Sequence, residues 1–156
     1  DRPTSSHEYL FLLTKSARYH YAADSIREPI SEISKARIKR GWHRVGHKWE
    51  TGPGNQTIAN DLSKALHSKG RNKRTVWKVS VQPYKGAHFA VMPEALVLPC
   101  VLAGSQEGDT VLDPFCGSGT VGVVAKKHGR DFIGIDINPD YIKLAEERLE
   151  CNGNTM

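Results

Sequence analysis

Asp109-Thr110-Val111-Leu112-Asp113-Pro114-Phe115-Cys116-Gly117-Ser118-Gly119-Thr120 is the stretch on which the fold turns. Its first five residues suit a strand, and the glycines that follow permit a sharp turn with no side chain in the way. A helix is predicted from about Ser118 to His128, then a second strand at Phe132-Ile133-Gly134-Ile135-Asp136. The last helix is expected to start with Asn138 as its cap and Pro139 at its first position. Its apolar side is Ile142, Ala145 and Leu149, spaced three and four apart. Strand, helix, strand, helix at this spacing is a right-handed βαβ unit of a parallel sheet, so the fold class is α/β, Rossmann-like.

Upstream, Met92-Pro93-Glu94 opens a helix predicted to run through Ala103, with Gly104 past its end and a kink expected at Pro99. Val76-Trp77-Lys78-Val79 reads as a strand, and Glu8-Tyr9-Leu10-Phe11-Leu12-Leu13-Thr14 as a buried one. Between them the character changes. Gly41, Gly46, Gly52-Pro53-Gly54 and Gly70 break any long element from 30 to 78, and helical spacing shows only at Ile58-Ala59, Leu62 and Ala65-Leu66. This predicts a loop-rich insertion with one helix. Trp42, Trp49 and Trp77 would give it a small core or flat surfaces for bases. The division expected is 1–29, 30–78 and 79–156.

Charge follows the same division. The chain has a net charge of +5, yet residues 30 to 80 hold twelve Lys/Arg against three Asp/Glu, a local +9, and the rest is −4. A basic segment between neutral-to-acidic ends is an electrostatic footprint for a polyanion, although a solvated lysine-rich face has the same composition. At 156 residues, 38% hydrophobic and 25% charged, the chain has room for one ordinary domain plus a small insertion. It holds no apolar run near the roughly 18 residues of a membrane span. Residues 1–4 do not have a secretory layout, and the chain starts at Asp1 rather than Met, as a processed, excised or truncated product would. Cys100, Cys116 and Cys151 lie far apart, which suits a reducing compartment and a cytoplasmic protein. His43 and His47 are four apart, but no third ligand is near and Gly41 and Gly46 disfavour a helix, so no metal is expected.

Two ligands compete for the glycine turn. Gly117-Ser118-Gly119-Thr120-Val121-Gly122 fits the G-x-G-x-x-G dinucleotide fingerprint, and Asp136 ends the next strand where an acid would take a ribose hydroxyl. Asp113 decides between them. Beside the pyrophosphate of NAD its carboxylate would set negative charge against negative charge. S-Adenosyl-L-methionine (AdoMet) has no phosphate and carries a sulfonium and an ammonium, so each contact with a carboxylate gains roughly 1.5–3 kcal/mol.

Asp113-Pro114-Phe115-Cys116-Gly117-Ser118-Gly119-Thr120 resembles the cofactor motif of the DNA amino-methyltransferases that modify adenine N6 or cytosine N4. Gly134-Ile135-Asp136-Ile137-Asn138-Pro139-Asp140-Tyr141 resembles that family's ribose-binding strand end. His88-Phe89-Ala90-Val91-Met92-Pro93 is similar to the segment that closes over the methionine end of AdoMet in the permuted, β-class members. Arg2-Pro3-Thr4 through Tyr9, with Lys15, Tyr19 and Arg27-Glu28-Pro29, resembles phage and restriction-modification members. The resemblance implies an AdoMet-dependent methyltransferase fold, here partial. It assigns cofactor contact to Asp113, Phe115, Gly117, Gly119, Thr120, Asp136, Asn138 and Phe89. Phe89 also reads as a core aromatic. The permuted order places a target-recognition region immediately before the cofactor half, where the basic insertion lies. Arg37, Arg40, Arg44, Arg71, Lys73 and Arg74 are then candidates for double-stranded DNA, with Asn55, Gln56 and Asn72 available for adenine.

The resemblance also implies a catalytic tetrad, Asp/Asn/Ser-Pro-Pro-aromatic, on which the flipped base stacks and to which its amino group donates. Asp113-Pro114-Phe115 and Gln82-Pro83-Tyr84 each have one proline, and Asn138-Pro139-Asp140-Tyr141 is explained as a helix start. No catalytic residue is therefore assigned, and the tetrad is expected upstream of Asp1, in a front half that would act as a partner. A restriction endonuclease counterpart is the other implied partner. Cys116 reads as a packing residue, since amino methylation needs no covalent enzyme intermediate. A sheet lacking its other strands is expected to expose an edge and an apolar face. The competing functions are a non-catalytic DNA-binding protein with a vestigial cofactor fold and, behind it, an NAD-dependent oxidoreductase. Cytosine N4 is read ahead of adenine N6 on overall likeness; the recognition sequence is not legible.

Overall fold

The computed structural model describes residues 2–4, 6–39, 67–80 and 91–153. Its regular part is a βαβα run. Strand β1 (Thr110–Asp113) leads through helix α3 (Thr120–Lys127) to strand β2 (Asp131–Gly134) and helix α4 (Pro139–Gly153). Helix α2 (Glu94–Gly104) precedes it, and a shorter helix α1 (Glu32–Lys39) follows a single 3-10 turn at Ala23–Ile26. The two strands are parallel, with Thr110 opposite Asp131, Val111 opposite Phe132, Leu112 opposite Ile133 and Asp113 opposite Gly134. The fold is thus α/β with a small parallel sheet, as the periodicity predicts.

Alternation along the strands sorts their side chains. Val111 and Phe132 are half-buried, while Leu112 and Ile133, one residue on, are 58% and 54% exposed. The covered face meets α3. Val123, Val124 and Ala125 are almost fully buried there, and Val97, Val101 and Val124 form a cluster joined by Leu98, Val111 and Val121. Gly122 lets α3 lie close to the sheet, because a Cβ at that position would stand 2.5 Å from Phe132 Cε1. The opposite face, with Leu112, Ile133 and Ile135, is open among the described residues. Of the apolar side predicted for α4, Ala145 is buried, Leu149 half-buried and Ile142 exposed.

Arg130 closes the packing on one side. It is 8% exposed, and its guanidinium donates to Ser105 Oγ (3.2 Å), to the Ser105 carbonyl (2.8 Å) and to the His128 carbonyl. Ser105 and His128 are the C-caps of α2 and α3. The cation therefore sits at two helix C-termini, whose partial negative charge offsets its desolvation.

Several expectations need correction. Residues 8–14 form no strand: the run is irregular and unpaired among the described residues, with Tyr9, Phe11 and Leu13 at 77, 75 and 88% exposure. Its β-rich composition expresses a preference that only a neighbouring strand could satisfy. Residues 76–79 are also irregular. There the Trp77 indole donates to the Arg74 carbonyl at 2.6 Å, which folds the chain back on itself instead of extending it. Helix α1 falls inside the segment read as loop. Its signal was Ser31, whose hydroxyl accepts from the Ser34 amide at 3.3 Å, with Glu32 in the first turn. The helix expected near 58–66 lies outside the described residues. Helix α2 runs on through Pro99, losing one backbone bond without ending there.

Candidate cofactor site

The carboxyl ends of β1 and β2 meet at the glycine turn. The Ile135 amide donates to the Asp113 carbonyl and the Cys116 amide to the Ile135 carbonyl, both at 2.9 Å, so the pairing continues one step past the strands. Asp113 turns its own carboxylate back, and Oδ1 accepts from the Phe115 amide at 3.0 Å. Asp136 holds the turn from the other strand. Its Oδ2 accepts from the Gly117 amide and its Oδ1 from the Asn138 amide, each at 2.8 Å. Asn138 in turn caps α4, its Oδ1 accepting from the Asp140 amide at 2.9 Å. One carboxylate thereby fixes both the glycine turn and the start of α4.

These groups line an open cleft of about 460 Å³. Asp113, Phe115, Gly117, Thr120, Asp136 and Asn138, six of the residues expected, all face it. Gly119 does not line it. Its backbone is left-handed (φ 75°), and a Cβ there would come within 2.8 Å of Ala145 Cβ, so contact with α4 demands this glycine. Phe89 lies outside the described residues. Six further lining residues were not among the expected contacts: Cys116, Ser118 and Val121 in the turn and α3, and Met92, Ile137 and Tyr141 around them. Ile137 and Phe115 are 101% and 87% exposed, and such apolar groups beside a polar turn are a signal visible only in three dimensions.

The cleft floor is electronegative. Burial pushes the Cys116 thiol above its ordinary range, and the charges of Asp136 and then Asp113 push it further the same way. Both carboxylates are therefore felt at one buried sulfur, which stays a protonated packing group. Negative potential from two strand ends suits a ligand carrying positive charge and works against a pyrophosphate. An apolar wall beside a few convergent polar groups suits a small-molecule ligand. A sulfonium nucleoside fits that donor set.

Of the basic residues expected to meet DNA, Arg71, Lys73 and Arg74 are described with their side chains, and they lie beside residues 24–28. Glu28 and Arg71 exchange backbone bonds of 2.9 Å as an antiparallel bridge, and a Cβ on Gly70 (φ 111°) would clash with the Glu28 carbonyl at 2.4 Å. Arg71 Nη2 reaches Glu28 Oε2 at 3.1 Å, and Lys73 Nζ lies 3.7 Å from Oε1 and 4.7 Å over the Trp77 ring. Arg27 donates to Asp24 (2.6 Å) and to Asn72 Oδ1 (2.7 Å). Arg74 is exposed. The Arg37 side chain, Arg40, Arg44, Asn55, Gln56, His43 and His47 lie outside the described residues. Among the described residues no cluster of three or more His, Cys, Asp or Glu could hold a metal, and no helix is long and apolar enough to cross a membrane.

Known proteins are similar to this chain in sequence. The DNA methylase family (N6_N4_Mtase) matches residues 1–147. The type II methyltransferase M.Cfr9I of Citrobacter freundii is 41% identical over 150 residues, covering 96% of this chain and 38% of that protein. M.SmaI of Serratia marcescens is 41% identical over 149 residues, covering 96% and 40%. Among solved structures, an M1.HpyAVI complex with S-adenosylmethionine is 32% identical, covers 50% of this chain and 42% of that one, and superposes with a TM-score of 0.42. The chain spans about two fifths of the length of the curated relatives it matches. Matched along nearly its whole length, the chain belongs to the N6/N4 DNA methylase family.

Proposed function

We propose that this chain carries the methyl-donor site and part of the DNA-reading surface of a site-specific DNA methyltransferase. The target is an exocyclic amino group, with cytosine N4 read ahead of adenine N6. S-Adenosylmethionine is the methyl donor of the family, and when bound it supplies a methyl group activated by its sulfonium charge. The observation that carries the reading is Asp136, tied to Gly117 and Asn138 at the mouth of an electronegative cleft. Two backbone donors orient that carboxylate just past the second strand, where an acid would meet ribose hydroxyls. Asp113 contributes charge opposite the donor's cationic groups, and Phe115, Ile137 and Met92 supply the apolar wall for a purine. Gly117 brings bare backbone to the ligand.

Residues 30–78 are proposed as the target-recognition region and 79–156 as the cofactor half, with 1–29 belonging to the catalytic half. Lys and Arg of the insertion would hold phosphates and set register, while sequence would be read by a few polar side chains. No Pro-Pro tetrad stands in the 156 residues, so no group here is assigned to hold the base. On this reading the chain alone binds the donor and methylates nothing, and a complementary catalytic half and a cognate endonuclease are its partners. Titration calorimetry with S-adenosylhomocysteine and with NAD tests the cofactor reading. Heat from the homocysteine compound alone is expected, and heat from NAD alone would reverse it. Methyl transfer to duplex DNA by the purified chain would overturn the claim of inactivity.

A further inference from the structure

The glycine turn is gripped from behind by α4, and the grip has an apolar and a polar half. Ala145 supplies the first, through its close approach to Gly119. Arg148, three residues on and so on the same helix face, supplies the second. Its Nη1 donates to the Ser118 carbonyl and lies 2.9 Å from Ser118 Oγ and 3.4 Å from Thr120 Oγ1. Ser118 and Thr120 are each only 4% exposed, so these acceptors are fixed in place. On the same peptide unit, the Gly119 amide donates to the Cys116 carbonyl at 2.8 Å. Both polar atoms of the Ser118–Gly119 peptide are therefore held, the oxygen by Arg148 and the nitrogen by the turn itself. A cation is not what the N-terminus of α3 calls for, because that end of a helix carries partial positive charge.

We propose that Arg148 is a positioning residue of the cofactor site. It locks the Ser118–Gly119 peptide so that Gly117, Ser118 and Thr120 present a preformed wall to the ligand, and binding does not have to order the turn. Preorganisation of this kind appears as affinity. The inference rests on the methyl-donor reading of the cleft.

The test uses the full chain with Arg148→Met, which keeps the stem and removes the donors, Arg148→Lys, which restores one, and Ser118→Ala. Calorimetric titration with S-adenosylhomocysteine is expected to show about a tenfold loss for Arg148→Met, with Arg148→Lys in between and Ser118→Ala losing about threefold. Hydrogen exchange separates positioning from general stability: the Gly119 amide should exchange faster in Arg148→Met while the Val124 amide in α3 keeps its protection. Equal affinity in wild type and all variants, or a uniform loss of protection with unchanged affinity, would overturn the proposal. Should Arg148→Met not fold, Arg148→Lys and Ser118→Ala decide it by the same affinity criterion. No binding by the wild type overturns the methyl-donor reading, and this proposal falls with it.

Discussion

Residues 110–153 and the segments 6–39 and 67–80 are held together by different forces. In the first region the strands and helices follow one another in sequence, short turns connect them, and the two strands pair across a single intervening helix. Its interior is close-packed, as Gly119 and Gly122 show by leaving no room for a methyl group. In the second region Ile26 is the one buried apolar side chain among the described residues, and Tyr9 to Leu13 lie exposed. What order it has comes from the Ala22 amide on the Ala103 carbonyl, the Glu28–Arg71 bridge and ion pairs about Asp24 and Glu28. The difference teaches that local signals suffice where a chain's partners are local. A segment whose partner lies far off keeps its composition and loses its structure.

The sharpest way to break this comparison is to disturb packing in the first region. Gly119→Val forces a branched side chain onto Ala145 in a left-handed backbone, and a loss of at least about 3 kcal/mol is expected in urea unfolding, with no S-adenosylhomocysteine binding. Arg130→Met comes next. It strips the donors from Ser105 and His128 and should cost about 2–4 kcal/mol in the same assay. Asp136→Asn is nearly isosteric but sets an amide NH₂ against one of two backbone N–H groups. Affinity for S-adenosylhomocysteine should fall about tenfold or more, with a smaller change in melting temperature.

The charge-held region should answer to salt and pH instead. Raising salt to about 0.5 M should speed amide exchange at Glu28 and Arg71 and leave β1 and β2 unchanged, because partly exposed ion pairs are screened. The smallest effect is expected at Asp24. The hydrogen bond from Arg27, outweighing burial and aided by Lys69 and His67, holds its carboxyl below the ordinary value of 3.8. A depressed carboxylate stabilises the fold above its unfolded pKa and ceases to as pH falls through its folded one. The stability difference between wild type and Asp24→Asn should therefore be present at neutral pH and close below the ordinary value. A difference that persisted at pH 2 would show that Asp24 acts through packing.

Cleft and framework were unequally legible. Asp113, Asp136 and Asn138 could be read because chemistry and spacing coincide there: an acid ends β1, another follows β2, and an Asn-Pro starts a helix. Gly119 was also legible, although its role is different, since α4 rather than a ligand excludes its Cβ. Met92 and Ile137 stood inside matched segments without being singled out, and Arg148 was not legible. Nothing in the spacing of Arg148 distinguishes it from any other cation on an amphipathic helix, and its meaning comes from a carbonyl 30 residues away.

By itself, then, the sequence determined the parallel βαβα unit, its glycine turn and the two acids beside that turn, because hydrophobic period, caps and turn residues act within a few positions of one another. Only the tertiary structure decided that Asp136 ties the turn to α4, that α4 grips it through Ala145 and Arg148, and that residues 8–14 form no strand. Each of those depends on groups brought together across the fold, and no local pattern encodes which surface a side chain will meet.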